Sequence, residues 1–277
     1  MRAVAPSGDV FTHHEVVEVA PRIRALALRT PTLPPAAHTN VYLVGPVGGP
    51  VLVVDPGSPF PEEQAALASA LTDVPVTAVL LTHHHGDHTG GAQALADARG
   101  VPIVAHAATA DALEGIVTVS RTLADGEDIH GLVAVHTPGH AWGHLCFTLG
   151  NATIAGDMVA GVGTILIAPG DGDMTVYLQS LEKLQARGGS LLPAHGPPIP
   201  DGAAKCREYL AHRRMREERV AGALSDTPST LAELVVSAYA DTPRALWPLA
   251  ERSLAAHLEK LVRDGRAIFD GRERWSR

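Results

Sequence analysis

Lysine is scarce: the 277 residues hold three, beside fifteen histidines. Aromatic residues make up only 4% of the chain, and cysteine occurs twice, at Cys146 and Cys206. Two cysteines cannot build a disulfide framework, and a reducing compartment, the cytoplasm, is the expectation. No run of about 18 apolar residues occurs, which argues against a membrane span. The first residues lack the apolar stretch of a secretory signal. Hydrophobic residues nevertheless reach 45%, enough for a packed core, and this excludes a wholly disordered chain. The length suits one large domain or one domain plus a small appendage.

Positive charge is short in one part of the chain only. Residues 1–202 carry 8 Lys and Arg against 19 Asp and Glu, a net of −11, whereas residues 203–277 carry 14 against 11, a net of +3. The first part repels a polyanion such as RNA unless metal ions reverse the sign locally.

Short β-branched runs followed by turns predict strands at Val51–Asp55, Val76–Thr82, Val101–His106, Leu132–Thr137, Leu145–Leu149, Ala152–Asp157 and Ser190–His195. Pro61–Leu71, Thr89–Ala98 and Met174–Ala186, the last behind Asp173 as N-cap, read as helices. Strands mixed with helices through short connections predict an α/β layered domain with mixed sheets. The tail reads differently. A charged helix spans Ala203–Ala223, the capping box Thr230 to Glu233 opens a second, and a third runs over Leu246–Asp264 to Gly265. A hairpin over Arg266–Trp275 turns at Asp270-Gly271. Three helices and a hairpin look like a winged-helix module. The boundary falls at Asp201-Gly202, giving domains of residues 1–202 and 203–277.

The chemistry lies between Leu80 and Gly91, where His83, His84, His85, Asp87 and His88 fall within six residues. This is the loop at the C-terminal end of a predicted strand, where α/β proteins place ligands and catalytic groups. Buried unpaired imidazoles and carboxylates cost free energy, and adjacent protonated imidazoles repel. A divalent cation resolves both problems, because neutral imidazole and carboxylate are its natural ligands. His83 and His85 can point to one position, Asp87 and His88 to a second. The bland alternative is a surface histidine cluster. Three further strand ends offer ligands: His140 after a Pro-Gly turn, Asp157 and His195. An Asp between two cations is a natural bridge.

His83-x-His85-x-Asp87-His88, then His140, Asp157 and His195, preceded by Asp55-Pro-Gly, resemble the motifs of the metallo-β-lactamase superfamily across residues 40–196. The resemblance implies an αββα sandwich with metals at one edge of two facing sheets. It implies that His83, His85 and His140 hold a first metal, Asp87, His88 and His195 a second, and that Asp157 bridges them. Asp55 then supports the metal loop without binding metal. Two zinc ions per chain are implied, with iron or manganese able to fill the same donors. So is a metal-bridging hydroxide that attacks a carbonyl or phosphoryl centre, Asp87 orienting it and passing a proton to the leaving group.

Asp157 stands where classical β-lactamases often have Cys, which points away from them. The stretch Thr137–Phe147 is similar to glyoxalase II-like hydrolases. Ala168–Leu181, His195-Gly-Pro and the winged-helix tail resemble the beta-lactamase-like protein 2 family across nearly the whole chain. Animal members of that family are associated with single-stranded RNA cleavage, and related fungal proteins release polyketides from acyl carrier protein as thioesterases. This chain has Ala141-Trp142-Gly143-His144 after His140, not the acidic pair associated with the RNA-cleaving branch. Hydrolysis of a thioester or ester, on a small-molecule or carrier-bound acyl substrate, therefore ranks first and RNA cleavage second. A promiscuous β-lactamase or a non-catalytic metal-binding protein follows.

Trp142, His144 and Tyr177 are substrate-pocket candidates, each with packing or ligand support as the alternative. Cys146 reads as a small core group, and His13, His14, His38 and His130 receive no role. Arg207, Arg213, Arg214, Arg216 and Arg219 read as a solvated face paired with Glu208, Glu217 and Glu218, the sharper alternative being a phosphate contact. The tail's would-be recognition helix mixes Arg252, His257, Lys260 and Arg263 with Glu251, Glu259 and Asp264, which is not a basic stripe. Shaping the active-site mouth or making a homodimer contact is its expected use.

Overall fold

Apolar residues on both faces of successive strands make the first sheet an interior element. In the computed structural model, residues 13–277 are described. The first twelve residues of the expected first domain, with the reading of a missing secretory signal, lie outside them. Seven strands follow one another side by side: β1 (Val16–Ala20), β2 (Ile23–Arg29), β3 (His38–Val44), β4 (Val51–Val54), β5 (Val76–Leu80), β6 (Ile103–Ala105) and β7 (Val119–Thr122). β1 to β4 pair antiparallel, and β4 to β7 pair parallel. Parallel neighbours need crossovers. These are α1 (Pro61–Ala70), then α2 (Gly86–Thr89) with α3 (Ala92–Arg99), then α4 (Ala107–Ala112).

Alternation sorts the side chains between two cores. Leu26, Leu28, Leu43, Val53, Val79 and Ile103 pack with Leu67 and Leu71 at α1 and with Leu95 and Ala96 of α3. Ile23, Ala25, Tyr42, Val44, Leu52, Val54 and Leu80 turn to the opposite face and meet the second sheet. That sheet is ordered β12-β11-β10-β9-β8, from β8 (Asp128–Ile129), β9 (Leu132–His136), β10 (Leu145–Leu149), β11 (Ala152–Gly156) and β12 (Ser190–Pro193). It contributes Leu132, Phe147, Ile154 and Leu192 to the shared core. Phe147 is fully buried there, and Phe147→Ala costs about 3–5 kcal/mol by the usual cavity penalty.

The expected helix over Thr89–Ala98 is two helices. Gly90 and Gly91 separate α2 from α3, and the Gly91 N–H donates to the Pro56 carbonyl at 2.8 Å. Strands β1 to β3, β7 and β8 and helix α4 were not anticipated. β11 and β12 are the one parallel pair of the second sheet, so Asp157 and His195 both follow strands that run the same way. Backbone bonds from Leu145 to Thr82 and from Asn40 to Ala194 join the strand ends of the two sheets, and one from Ala194 to Gly156 extends the pairing of β12 with β11.

A second compact unit gathers the tail from Ala203 with residues 138–142 and 165–187, which lie within the expected first domain. It contains α5 (Met174–Arg187), α6 (Gly202–Ala223) beyond its first residue, α7 (Leu231–Ala238), α8 (Trp247–Arg263) and a hairpin of β13 (Ile268–Phe269) and β14 (Trp275–Ser276). The Asp173 carboxylate caps α5 by accepting the Val176 N–H at 3.0 Å. α7 opens on the expected capping box, with Thr230 N–H donating to Glu233 at 2.7 Å and Glu233 N–H to the Thr230 hydroxyl at 3.3 Å. Val220, Leu224, Leu234, Val235, Leu254, Leu258, Leu261 and Trp275 form its core.

The charged helix α6 corrects the expectation of a solvated arginine face. Arg213 and Arg216 are buried, at 3% and 7% exposure. Arg213 donates to the Ile165 carbonyl, and Arg216 donates to the Ala238 carbonyl and to Asp241, both at 2.9 Å. Arg214 pairs with Glu182 and Arg219 with Asp241. Glu217 is instead occupied by Lys260 and Arg266, and Glu218 by Arg266. No helix of the described residues is long and apolar enough to cross a membrane.

Candidate metal centre

The loop after β5 is held by a carboxylate one strand away. Asp55 ends β4 in the left-handed region, at φ 52°, a conformation that is costly for a side chain other than glycine. It is held there by bonds. Oδ1 accepts the Thr82 N–H at 2.8 Å, and Oδ2 accepts the Thr82 hydroxyl at 2.6 Å and His88 Nδ1–H at 2.8 Å. Pro56 and Gly57 then lie directly against the loop. A Cβ on Gly57 would overlap the Asp87 carbonyl, so only glycine allows this approach.

These bonds set the protons of the imidazoles. The Thr82 hydroxyl is committed to Asp55, so His83 Nδ1, 2.9 Å from Thr82 Oγ1, is the donor of that pair. Its Nε2 then carries a lone pair. His88 gives its Nδ1 proton to Asp55, and its Nε2 is buried with no hydrogen-bond partner among the described residues. His195 directs Nδ1 to the His38 carbonyl at 2.9 Å. Orientation of ligand histidines through the second ring nitrogen is the usual support for a metal site.

The imidazole nitrogens and carboxylate oxygens converge. His83 Nε2 lies 2.9 Å from His85 Nδ1. Asp157 Oδ1 lies 3.6 Å from His88 Nε2 and 3.4 Å from His195 Nε2, and Asp87 Oδ2 lies 3.5 Å from His195 Nε2. Two donor groups emerge, one of His83, His88 and Asp157 and one of Asp87, His88 and His195, each within 4.8 Å. Burial pulls the His88 pKa down, but the carboxylates of Asp87, Asp157 and Asp55 outweigh it and push the value up to about 10. The site therefore asks for positive charge. A divalent cation supplies it and is ligated by neutral imidazole and carboxylate, so these donors fit the metal that the sequence implies.

His140 belongs to the second unit, where Nδ1 bonds the Leu166 carbonyl at 2.9 Å and so leaves Nε2 as the lone-pair nitrogen. Trp142, 47% exposed, donates from Nε1 to the Gly170 carbonyl at 3.3 Å. Tyr177 has no exposed surface, and its ring lies under the Arg213 guanidinium, 5.5 Å away. Its place is in the interior. His144 is also fully buried, with Nδ1 2.9 Å from the Thr137 hydroxyl and Nε2 accepting the backbone N–H of Asp157 at 3.1 Å. It bonds the backbone of a candidate ligand from the interior. Cys146 is buried, with Sγ 3.3 Å from Thr137 Oγ1, as expected of a core group. Thr82 and Thr137 were missed by sequence reasoning. Their hydroxyls fix ring orientations, and nothing in their spacing announces it.

Comparison with known proteins places these features. The profile of the metallo-beta-lactamase superfamily matches residues 34–196, and that of the beta-lactamase associated winged helix domain matches residues 230–275. The chain is 30% identical to the atrochrysone carboxyl ACP thioesterase of Aspergillus terreus, over 95% of this chain and 87% of that one. It is 27% identical to the beta-lactamase-like protein 2 homolog of Drosophila melanogaster, over 82% and 83%. The crystal structure of a beta-lactamase domain protein from Burkholderia ambifaria superimposes with a TM-score of 0.81 at 22% identity, over 99% of this chain and 95% of that one. The α/β fold and the C-terminal winged helix are both as expected.

Proposed function

The chain belongs to the metallo-β-lactamase superfamily, and on that footing we propose that it hydrolyses an acyl thioester or ester whose acyl group is carried by a protein or a small molecule. That it is a metal-dependent hydrolase follows from the family and from relatives named as thioesterases. The observation that carries the substrate class is a carboxylate, Asp157, between His88 and His195, together with thioesterase-named relatives that this chain matches over nearly its whole length. We assign residues 1–202 to the catalytic domain, residues 203–277 to the winged-helix-like domain, and the protein to the cytoplasm.

His83, His85 and His140 are our ligands for one cation, Asp87, His88 and His195 for a second, with Asp157 shared and zinc as the metal; iron or manganese suits the same donors. Cations held by these residues would lower the pKa of water and polarise a carbonyl oxygen. The chain's own residues do the rest. Asp87, partly open to solvent at 16% exposure, orients the attacking water, takes its proton and returns it to the departing sulfur or oxygen. Asp55 and Thr82 fix the rings of His88 and His83, so that the site needs no reorganisation when substrate arrives.

RNA is the weaker substrate. Arg216, Arg219, Arg263 and Arg266 of the basic tail are spent on Asp241, Asp173, Glu217 and Glu218 within the second unit, which leaves fewer cations for phosphates. The test is turnover of an acyl-pantetheine thioester, an aryl ester, a β-lactam and a single-stranded RNA by metal-loaded protein. Thioester or ester turnover that disappears in His85→Ala is the expected result. RNA cleavage alone, lost in the same variant, overturns the proposal.

A further inference from the structure

A second histidine cluster shares no residue with the candidate centre. His13 and His14 precede β1, and both direct Nε2 to the carboxylate of Glu63 in the first turn of α1. His13 Nε2 is 3.1 Å from Oε1 and 2.9 Å from Oε2, and His14 Nε2 is 2.9 Å from Oε2. The two rings lie 3.7 Å apart between centroids. Glu63 is 1% exposed, while the histidine side chains are 42% and 38% exposed. Half-exposed imidazoles therefore meet a buried carboxylate.

Hydrogen bonding alone accounts for this arrangement only if both rings donate from Nε2. Oε2 also accepts the Arg29 N–H at 3.1 Å, so three nitrogens crowd one oxygen that has two lone pairs. If both histidines were charged, two imidazolium rings tilted by 32° would sit 3.7 Å apart between centroids beside the Arg29 guanidinium, whose Nε is 3.7 Å from Oε1, and like charges at that range repel. Neutral rings that turn lone pairs to the carboxylate repel as well, and only rings that carry the proton on Nε2 satisfy it without an ion. A divalent cation removes each conflict, since it accepts the two imidazole lone pairs and the carboxylate oxygen together. His14 has φ 67°, and that left-handed turn brings adjacent residues to the same carboxylate.

We propose that His13, His14 and Glu63 form a further cation site, of the zinc class, with three protein ligands and a fourth position left to water. Imidazole and carboxylate donors select zinc, cobalt or nickel over magnesium or calcium. The bound cation fastens the segment before β1 to the start of α1. The site shares no ligand with the candidate hydrolytic centre, although the His13 ring lies 5.0 Å from that of His38, whose carbonyl bonds His195 Nδ1 at 2.9 Å.

The experiment is zinc content per chain at equilibrium with buffered free zinc, for the full-length protein, His13→Ala/His14→Ala and Glu63→Gln. Both variants are expected to hold one zinc fewer than the unaltered protein, and equal content in all three overturns the proposal. A measurement on the unaltered protein covers the case of a misfolded variant. In nitrogen-detected NMR of the histidine rings, zinc saturation is expected to move the Nε2 signals of His13 and His14 into the metal-bound range. Rings that keep an Nε2 proton at saturation show an ion-paired cluster without metal and overturn it equally. Thioester turnover, followed in parallel, reports on the hydrolytic centre and so separates failure of the one reading from failure of the other.

Discussion

His144 accepts the backbone N–H of Asp157 through Nε2 at 3.1 Å, which makes a fully buried imidazole the support of the carboxylate between His88 and His195. Its Nδ1 proton goes to the Thr137 hydroxyl at 2.9 Å. His144→Leu removes the acceptor and leaves a buried N–H unpaired, at a cost of about 1–3 kcal/mol. Turnover is expected to fall by about 10–100-fold, the range for lost support of a metal ligand. His144→Gln, which keeps an acceptor, recovers part of both. Urea unfolding and kcat on the thioester check the two effects.

Asp55 accepts three bonds that hold the loop and the His88 ring. Asp55→Asn tolerates the left-handed backbone, but one of its two side-chain oxygens becomes a donor. Metal affinity is expected to drop about 10–100-fold while the fold persists. Competition with a coloured chelator measures it.

Arg213 and Arg214 are neighbours with opposite expected effects. Arg213 is buried and donates to the Ile165 carbonyl, next to the Leu166 carbonyl that holds His140. Arg213→Met is expected to lower turnover even on a small neutral ester. Arg214 is 67% exposed and pairs with Glu182, so Arg214→Ala is expected to change stability by less than about 0.5 kcal/mol and leave turnover intact. Ester kinetics for the two variants separate interior support from a surface charge.

Asp241 gives the second unit a defined response to acid. The Arg216 guanidinium, with Arg219 adding, holds its carboxyl down at about 2 from the ordinary 3.8. A carboxyl depressed in the folded state stabilises it fully above the unfolded value. That contribution is lost as pH falls from about 3.8 towards about 2. The stability difference between the unaltered protein and Asp241→Asn is therefore expected to be constant from pH 6 to about 4.5 and to narrow below about 4. Urea midpoints across that range test it, and a difference that grows in acid contradicts the assignment.

The hydrolytic candidate residues were legible because their types are crowded along the chain: five imidazole or carboxylate groups within His83–His88 have few structural uses. Strands rich in Val and Leu, such as β5 and β12, were legible for the same local reason. β2, with alanine between its leucines, and β3, which opens on His38-Thr39-Asn40, dilute that signal. Gly90 and Gly91 were read as the opening of one helix, whereas they separate two. The buried face of α6 was present in the sequence and overlooked. Cys206, Tyr209, Leu210, Arg213, Arg216 and Val220 recur at helical spacing, and all are buried. His144, Thr82 and the meeting of His13 and His14 with Glu63 depend on partners far along the chain or across a strand, and no local spacing encodes those.

The most direct test of the account is kcat for a carrier-type acyl thioester, with metal content, in the unaltered protein and Asp157→Ala. The carboxylate lies 3.6 Å from His88 Nε2 and 3.4 Å from His195 Nε2, so its loss is expected to abolish most turnover and release part of the bound metal. Asp157→Ala with full metal content and unaltered turnover would contradict the central claim.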